Sequence, residues 1–238
     1  MYAGNVVIGH AIWQILRQIA GYVPHSVSII GPSESGKTTL DQQLTTKGEI
    51  REFGARDRTH HGKTWLGNFK LPETSRKKVR SEGIQKTIVS RDLGGHSDYH
   101  HLWMRDMIER RVKNVVVIID HRHLIDSRNI DNQTAMGFLV ETLSKRYKIR
   151  GLSLRGRLRA RRYSPERVLL LANKADEWMS DADHNVWEKG FIARHEIFEV
   201  FRHHLYDLQA MHIPVYIDAI SAKYGWNVSE SIIKGIDI

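Results

Sequence analysis

The chain of 238 residues contains no cysteine. That single absence excludes disulfides, thiolate metal sites, cysteine nucleophiles, prenylation and palmitoylation. Tyr2 stands where myristoylation requires glycine, so that anchor is missing as well. Long apolar runs are also lacking. Val6-Val7-Ile8 and Ala11-Ile12-Trp13 are interrupted by His10 and Gln14, far short of a membrane span. No basic leader with a cleavage site opens the sequence, and no internal repeat or low-complexity tail is visible. The expectation is a soluble cytoplasmic protein. Hydrophobic content of 41% and charged content of 26% are those of an ordinary globular domain.

Charge is abundant but unevenly placed. The formal total is +9, from 36 basic and 27 acidic residues. Lys145 to Arg167 holds ten basic residues against one acid, Glu166, and the rest of the chain is balanced at 26 of each sign. The molecule is therefore a neutral body carrying a basic strip.

Apolar spacing orders the elements. In "NVVIGHAIWQILRQIA" the residues Ile8, Ile12, Ile15, Leu16 and Ile19 share one helical face, and Gly21 and Pro24 stop the helix. "SVSIIG" reads as a buried strand ending at Gly31, followed by a helix over "GKTTLDQQL". "GIQKTIVSRD" is a strand, within a hairpin, that runs into Asp92. A helix through "YHHLWMRDMIERR", the strand "NVVVIID", a helix over "NQTAMGFLVETLSKR" and the strand "RVLLLANKAD" follow. One long helix is expected over about Asp183 to Gln209. The strand "IPVYIDAISA" and a helix near Trp226 to Lys234 close the chain. Strands of continuous Val, Ile and Leu alternating with helices predict an α/β fold with a mostly parallel central sheet and helices on both faces. The expected layout is an N-terminal amphipathic helix over 1–24 and a domain over 25–238, with a basic insertion at about 145–167. Ligands in such folds sit at the carboxyl ends of the strands, where every motif below lies.

"GPSESGKT", Gly31 to Thr38, matches G-x-x-x-x-G-K-[ST]. Glycines let the backbone curl so that N–H groups point inward at phosphate oxygens, and the helix starting at Lys37 adds its positive end. In that reading Gly31, Ser33, Glu34, Ser35, Gly36 and Thr39 line the cradle. Lys37 bridges the β- and γ-phosphates, and the Thr38 hydroxyl ligates magnesium. "NKAD", Asn173 to Asp176, closes a strand. The Asp176 carboxylate can accept the N1–H and N2–H₂ of guanine together, a pair that adenine does not offer, so GTP or GDP is selected over ATP. The stem of Lys174 can cover the base, and Asn173 can tie this loop to the phosphate loop. "SAK", Ser221, Ala222 and Lys223, ends the next strand and would bring backbone N–H groups to the guanine oxygen. "DLGGH", Asp92 to His96, lies between the two. Asp-x-x-Gly arises about once by chance in a chain this long, so its place after a strand gives it weight. There Asp92 would hold a magnesium-bound water, and Gly95 N–H would contact the γ-phosphate. His96 can orient the attacking water.

With these motifs in order, the chain resembles small GTPases of the Arf and Sar families from about Ser26 to Lys234. The most specific part is "DLGGH" followed by Leu102-Trp103; Sar proteins carry DLGGH, and Arf proteins have Gln at the His position. The resemblance implies a P-loop GTPase fold, a GTP/GDP switch using magnesium, effector and regulatory partners, and hydrolysis often aided by one of them. It also implies a first-switch threonine on magnesium. Thr74 in "LPETSRKK" has the better spacing, and Thr64 in "GKTWLGNF" is the rival. Ser33 replaces a glycine common in relatives and can crowd the attacking water. That departure leaves open a GTP-binding scaffold with little hydrolysis, whereas an ATP-using kinase or ATPase is disfavoured by Asn173 to Asp176.

The basic strip reads either as a solvated loop or as a docking surface for an acidic partner or an anionic membrane. Leu152, Leu154 and Leu158 interleave with its arginines, and aromatics suited to nucleic acid are few. The first helix packs either on the protein itself or on a membrane. The pairs His60-His61, His100-His101 and His203-His204 cannot chelate as helix neighbours and are expected at the surface, without zinc.

Overall fold

The computed structural model describes residues 24–44, 75–82, 84–91, 93–144 and 154–237. The expected first helix, Thr64, Thr74, Asp92, His60-His61 and the start of the basic strip lie outside these residues.

In chain order the elements are β1 (Pro24–Ile30), α1 (Lys37–Gln43), β2 (Ser75–Ser81), β3 (Ile84–Ser90), a 3-10 turn (Ser97–Tyr99), α2 (His100–Arg110), β4 (Asn114–Ile119) and the single turn α3 (Arg122–Ile125). Next come α4 (Asp131–Leu143), α5 (Leu154–Arg162), β5 (Arg167–Ala172), the single turn α6 (Ala175–Trp178) and α7 (Asp181–Glu188). Two 3-10 stretches (Ile192–Arg194 and Glu196–Phe201) lead to α8 (Arg202–Ala210), β6 (Val215–Ala219) and α9 (Val228–Asp237). The sheet has six strands in the order β2-β3-β1-β4-β5-β6. β3, β1, β4, β5 and β6 run parallel, and β2 pairs antiparallel with β3.

Alternation along β4 divides the core. Val115, Val117 and Ile119 face one layer, with Trp103, Met104 and Met107 of α2 and Ala135, Met136 and Leu139 of α4. Val116 and Ile118 face the other, with Leu40 of α1 and Val228, Ile232, Ile233 and Ile236 of α9. All six β4 positions are buried, as an inner parallel strand requires. The edge strand β2 behaves differently. Arg76, Lys78 and Arg80 are exposed while Lys77 and Val79 point inward, so charge guards the edge against pairing with another chain. Buried Lys77 is held by Asp41 of α1, which also accepts a 3.0 Å bond from Ser90 Oγ.

Two expectations are corrected here. The long helix over Asp183 to Gln209 is broken. α7 ends at Glu188, and Gly190 at φ +76° turns the chain out of the helix. The extended His195 then restarts a turn with its ring accepting from Ile197 N at 3.2 Å. Ile192, Ile197, Phe198, Phe201 and Leu208 all reach the core, so the apolar spacing survives although the backbone does not continue. The basic strip, in turn, is not simply a loop: Leu154–Arg162 is helical. Leu and Arg are good helix formers, and Tyr163 just beyond the helix donates its hydroxyl to Val112 O at 2.9 Å.

Candidate functional site

The loop from Gly31 to Gly36 joins β1 to α1 at the carboxyl ends of the parallel strands. A Cβ at Gly36 (φ +92°) would lie 2.1 Å from Asn173 Nδ2. No other residue fits there, because the base loop presses directly on the phosphate loop. Ser35 Oγ donates to Pro32 O at 3.0 Å, closing the turn around Ser33 and Glu34. Lys37 is 6% exposed and its ammonium bonds Pro32 O at 2.5 Å, across the mouth of the loop. Gly36 at the start of α1 has no side chain to cap the helix, so the first turn, with Thr38 and Thr39, opens beside the same loop. An anion there meets an ammonium, a run of N–H groups and a helix start.

The base loop is assembled by one side chain. Asn173, 2% exposed, donates from Nδ2 to Ser35 O at 2.9 Å and accepts at Oδ1 from Ala222 N at 2.9 Å. It thereby joins the phosphate loop, its own loop and the Ser-Ala-Lys loop. Lys174 takes the left-handed conformation (φ +59°) with its amine 3.6 Å from Asp120 Oδ2. Asp176 is exposed and its Oδ1 accepts from Ser221 Oγ at 2.5 Å, which sets the direction of the carboxylate. Lys223 is exposed and lies 5.2 Å from the Tyr224 ring centroid.

The sensing loop leans on the phosphate loop. A Cβ at Gly95 would stand 2.4 Å from both Lys37 Nζ and Pro32 C, so only glycine allows this approach. Trp103, fully buried, donates from Nε1 to Gly94 O at 2.9 Å and anchors the loop to α2. The His96 side chain is 64% exposed. Its Nδ1 caps the 3-10 turn by accepting from Asp98 N at 3.4 Å and lies 3.4 Å from the Asp98 carboxylate. In this arrangement the ring is turned toward its own turn, with Nε2 as the outward nitrogen. Of the three oxygen donors expected for magnesium, Thr38 stands beside Lys37, while Asp92 and Thr74 are outside the described residues. Hydroxyl and carboxylate oxygens are the hard donors that suit this ion.

His100 and His101 correct the expectation of surface histidines. His100 is 7% exposed, its ring 4.1 Å from Trp103 and 5.1 Å from Phe138; His101 is half-buried. On the remaining described pair, His203 is exposed and His204 half-buried. Burial first, then the Lys37 charge, lowers the His100 pKa from 6.5 to about 4. The unfolded chain therefore takes up a proton between those values that the folded chain refuses. Stability from this group is complete above pH 6.5 and is lost as pH falls toward about 4. The total is roughly 3 kcal/mol. Urea unfolding at both ends of that window should show this loss in the wild type and a smaller one in His100→Gln. Equal acid sensitivity of the two proteins would contradict it.

One contributor escaped the sequence reading. Arg122 donates from Nη2 to Ser33 O at 2.6 Å and from Nε to Asp120 Oδ2 at 2.7 Å. It buttresses the phosphate loop from the end of β4, and the fully buried Asp120 is held in turn by Asn132. The usable signal was position: "IIDHR" ends a parallel strand at the same sheet edge as every other motif.

No family model matches the sequence, and no curated protein matches it. Among solved structures the chain is similar to the Arl6 (BBS3) small GTPase of Trypanosoma brucei, solved with the nucleotide analogue GppNp. Identity is 16%, over 90% of this chain and 96% of that one, with a TM-score of 0.51. In all, 1068 solved chains match, so the likeness speaks to architecture and not to a particular activity. The strand order, the layers and this likeness agree: the chain has the same fold as that small GTPase, a six-stranded, mostly parallel sheet with helices on both faces.

Proposed function

We propose that this protein is a GTP-binding switch that hydrolyses GTP to GDP and phosphate. The observation that carries the reading is the Asn173 clamp. It holds a phosphate-type cradle against a loop whose Asp176 carboxylate, oriented by Ser221, suits the edge of guanine. Lys37 and the amides of the cradle stabilise charge on the transferring phosphoryl group. Magnesium, when bound, neutralises the phosphate oxygens, and Thr38, Thr74 and Asp92 are the residues that would hold it. His96, presenting Nε2, orients the attacking water. A switch of this kind recruits effector and regulatory proteins in its GTP state and works in the cytoplasm. A second reading, a GTP-binding scaffold with little turnover, is favoured by the engagement of His96 with Asp98.

Heat-denaturing the purified protein and chromatographing the supernatant identifies its nucleotide, and phosphate release then measures turnover. Guanine nucleotide is expected, with His96→Ala hydrolysing at least about tenfold more slowly than wild type. Adenine nucleotide would overturn the base assignment. Bound GTP that neither protein hydrolyses would establish the scaffold reading.

A further inference from the structure

A groove of 480 Å³ lies between α5 and the C-terminal end of α2, away from the nucleotide loops. Ile108 and Val112 back it from the core, and its accessible apolar surface comes from Leu158 and the half-buried Tyr163. Leu158, 56% exposed, is the apolar side chain that this charged helix presents at the groove. Around this floor stand Arg111, Lys113, Arg159 and Arg162, against the single acid Glu166, which pairs with Lys113 at 2.8 Å. The C-terminus of α2 adds a partial negative charge of about half a unit, which Arg111, Arg159 and Arg162 outweigh; none of the three has an ion-pair partner among the described residues.

We propose that this groove binds an acidic segment of a partner protein, seating one bulky apolar side chain on Leu158 and Tyr163 with carboxylates on Arg111, Arg159 and Arg162. Charge complementarity selects the occupant. The chain's own remaining segments do not fit it. Residues 145–153 carry four basic residues and no acid, residues 1–23 one basic and no acid, and residues 45–74 six basic against four acidic. Shape separates a peptide from a bilayer, because a recessed apolar floor needs a projecting side chain and a bilayer surface offers none. Nucleic acid is disfavoured because Tyr163, the one aromatic in the lining, is half-buried with its hydroxyl bonded to Val112 O.

The location carries a second consequence. Lys113 and Glu166 immediately precede β4 and β5, so the groove is at the amino ends of the strands, and the nucleotide loops are at the carboxyl ends. A six-residue strand separates them by roughly 20 Å. The groove shares no residue with the nucleotide loops, so the proposal does not rest on the nucleotide reading.

The test is fluorescence anisotropy with a labelled dodecapeptide in which glutamates flank a central Phe-Leu pair. Its controls are the same peptide with lysines for glutamates, and one with serines for Phe-Leu. The full chain is expected to bind the first peptide and to discriminate against both controls. Leu158→Glu, and Arg159→Glu combined with Arg162→Glu, should each weaken binding about tenfold or more. Lys189→Glu, a charge reversal on an exposed residue outside the groove, should leave it unchanged. Equal binding of the lysine peptide, or indifference to the groove variants, overturns the proposal. So does capture by phosphatidylserine vesicles through these arginines without peptide binding, which would make the surface a membrane contact instead.

Discussion

Lys37→Ala is expected to weaken GTP binding by about 10²–10⁴-fold, because the ammonium would make charge-assisted bonds to two phosphate groups worth ~1.5–3 kcal/mol each. The side chain already crosses the loop to Pro32 O and lies where Gly95 closes over it. Its 6% exposure means that the charge acts with little screening by solvent. Isothermal titration with GTP and with GDP reads the effect. GTP should suffer more than GDP, since only GTP brings a γ-phosphate to the lysine. A variant that binds both nucleotides as tightly as wild type would show that the loop is a structural turn. The fold itself should survive, because Lys37 lies at the carboxyl edge of the sheet and is not part of either apolar core layer.

Asp106→Ala is expected to cost about 3–5 kcal/mol of folding stability, the usual range when one member of a buried ion pair is removed. Asp106 is fully buried within α2. It accepts from Arg110 at 2.8 and 2.5 Å, from Arg91 at 2.7 Å and from Ser28 Oγ at 3.1 Å. Arg110 continues the network to Val89 O at 3.1 Å and Val27 O at 2.8 Å, so a single carboxylate fastens α2 to β3 and β1. Without it the guanidinium groups of Arg91 and Arg110 remain in place with no carboxylate partner among the described residues. Urea unfolding measures the loss. Asp106→Leu combined with Arg110→Met should be less destabilised than Asp106→Ala, since it removes the more buried of the two guanidinium groups along with the carboxylate and leaves only Arg91 without its partner. A loss below about 1 kcal/mol for Asp106→Ala would mean that solvent reaches these arginines.

The candidate site was legible in the sequence where the proposed chemistry demands a fixed local spacing. Gly31 to Thr38 and Asn173 to Asp176 must take those residue types in that order to curl around a phosphate or face a guanine. His96 was legible as a candidate for the same reason. Its turn toward Asp98 was not, because that depends on how the 3-10 turn at Ser97–Tyr99 caps itself. Arg122 left no motif at all. Its role exists because β4 and β1 are neighbours, which brings Ser33 O within 2.6 Å of a guanidinium 89 residues away in the chain.

By itself the sequence determined the alternation of strands and helices, the parallel sheet and the motif order along its carboxyl edge. These follow from apolar periodicity and from loop chemistry that acts within a few residues. Only the tertiary structure decided that His100 is buried against Trp103 and Phe138, that the Asp183 to Gln209 pattern breaks at Gly190, and that Leu154–Arg162 of the basic strip forms a helix beside a groove. Polar residues such as His100 and Asp106 carry no local sign of burial. Their environment is set by which distant elements pack on them, and that packing is a property of the whole fold.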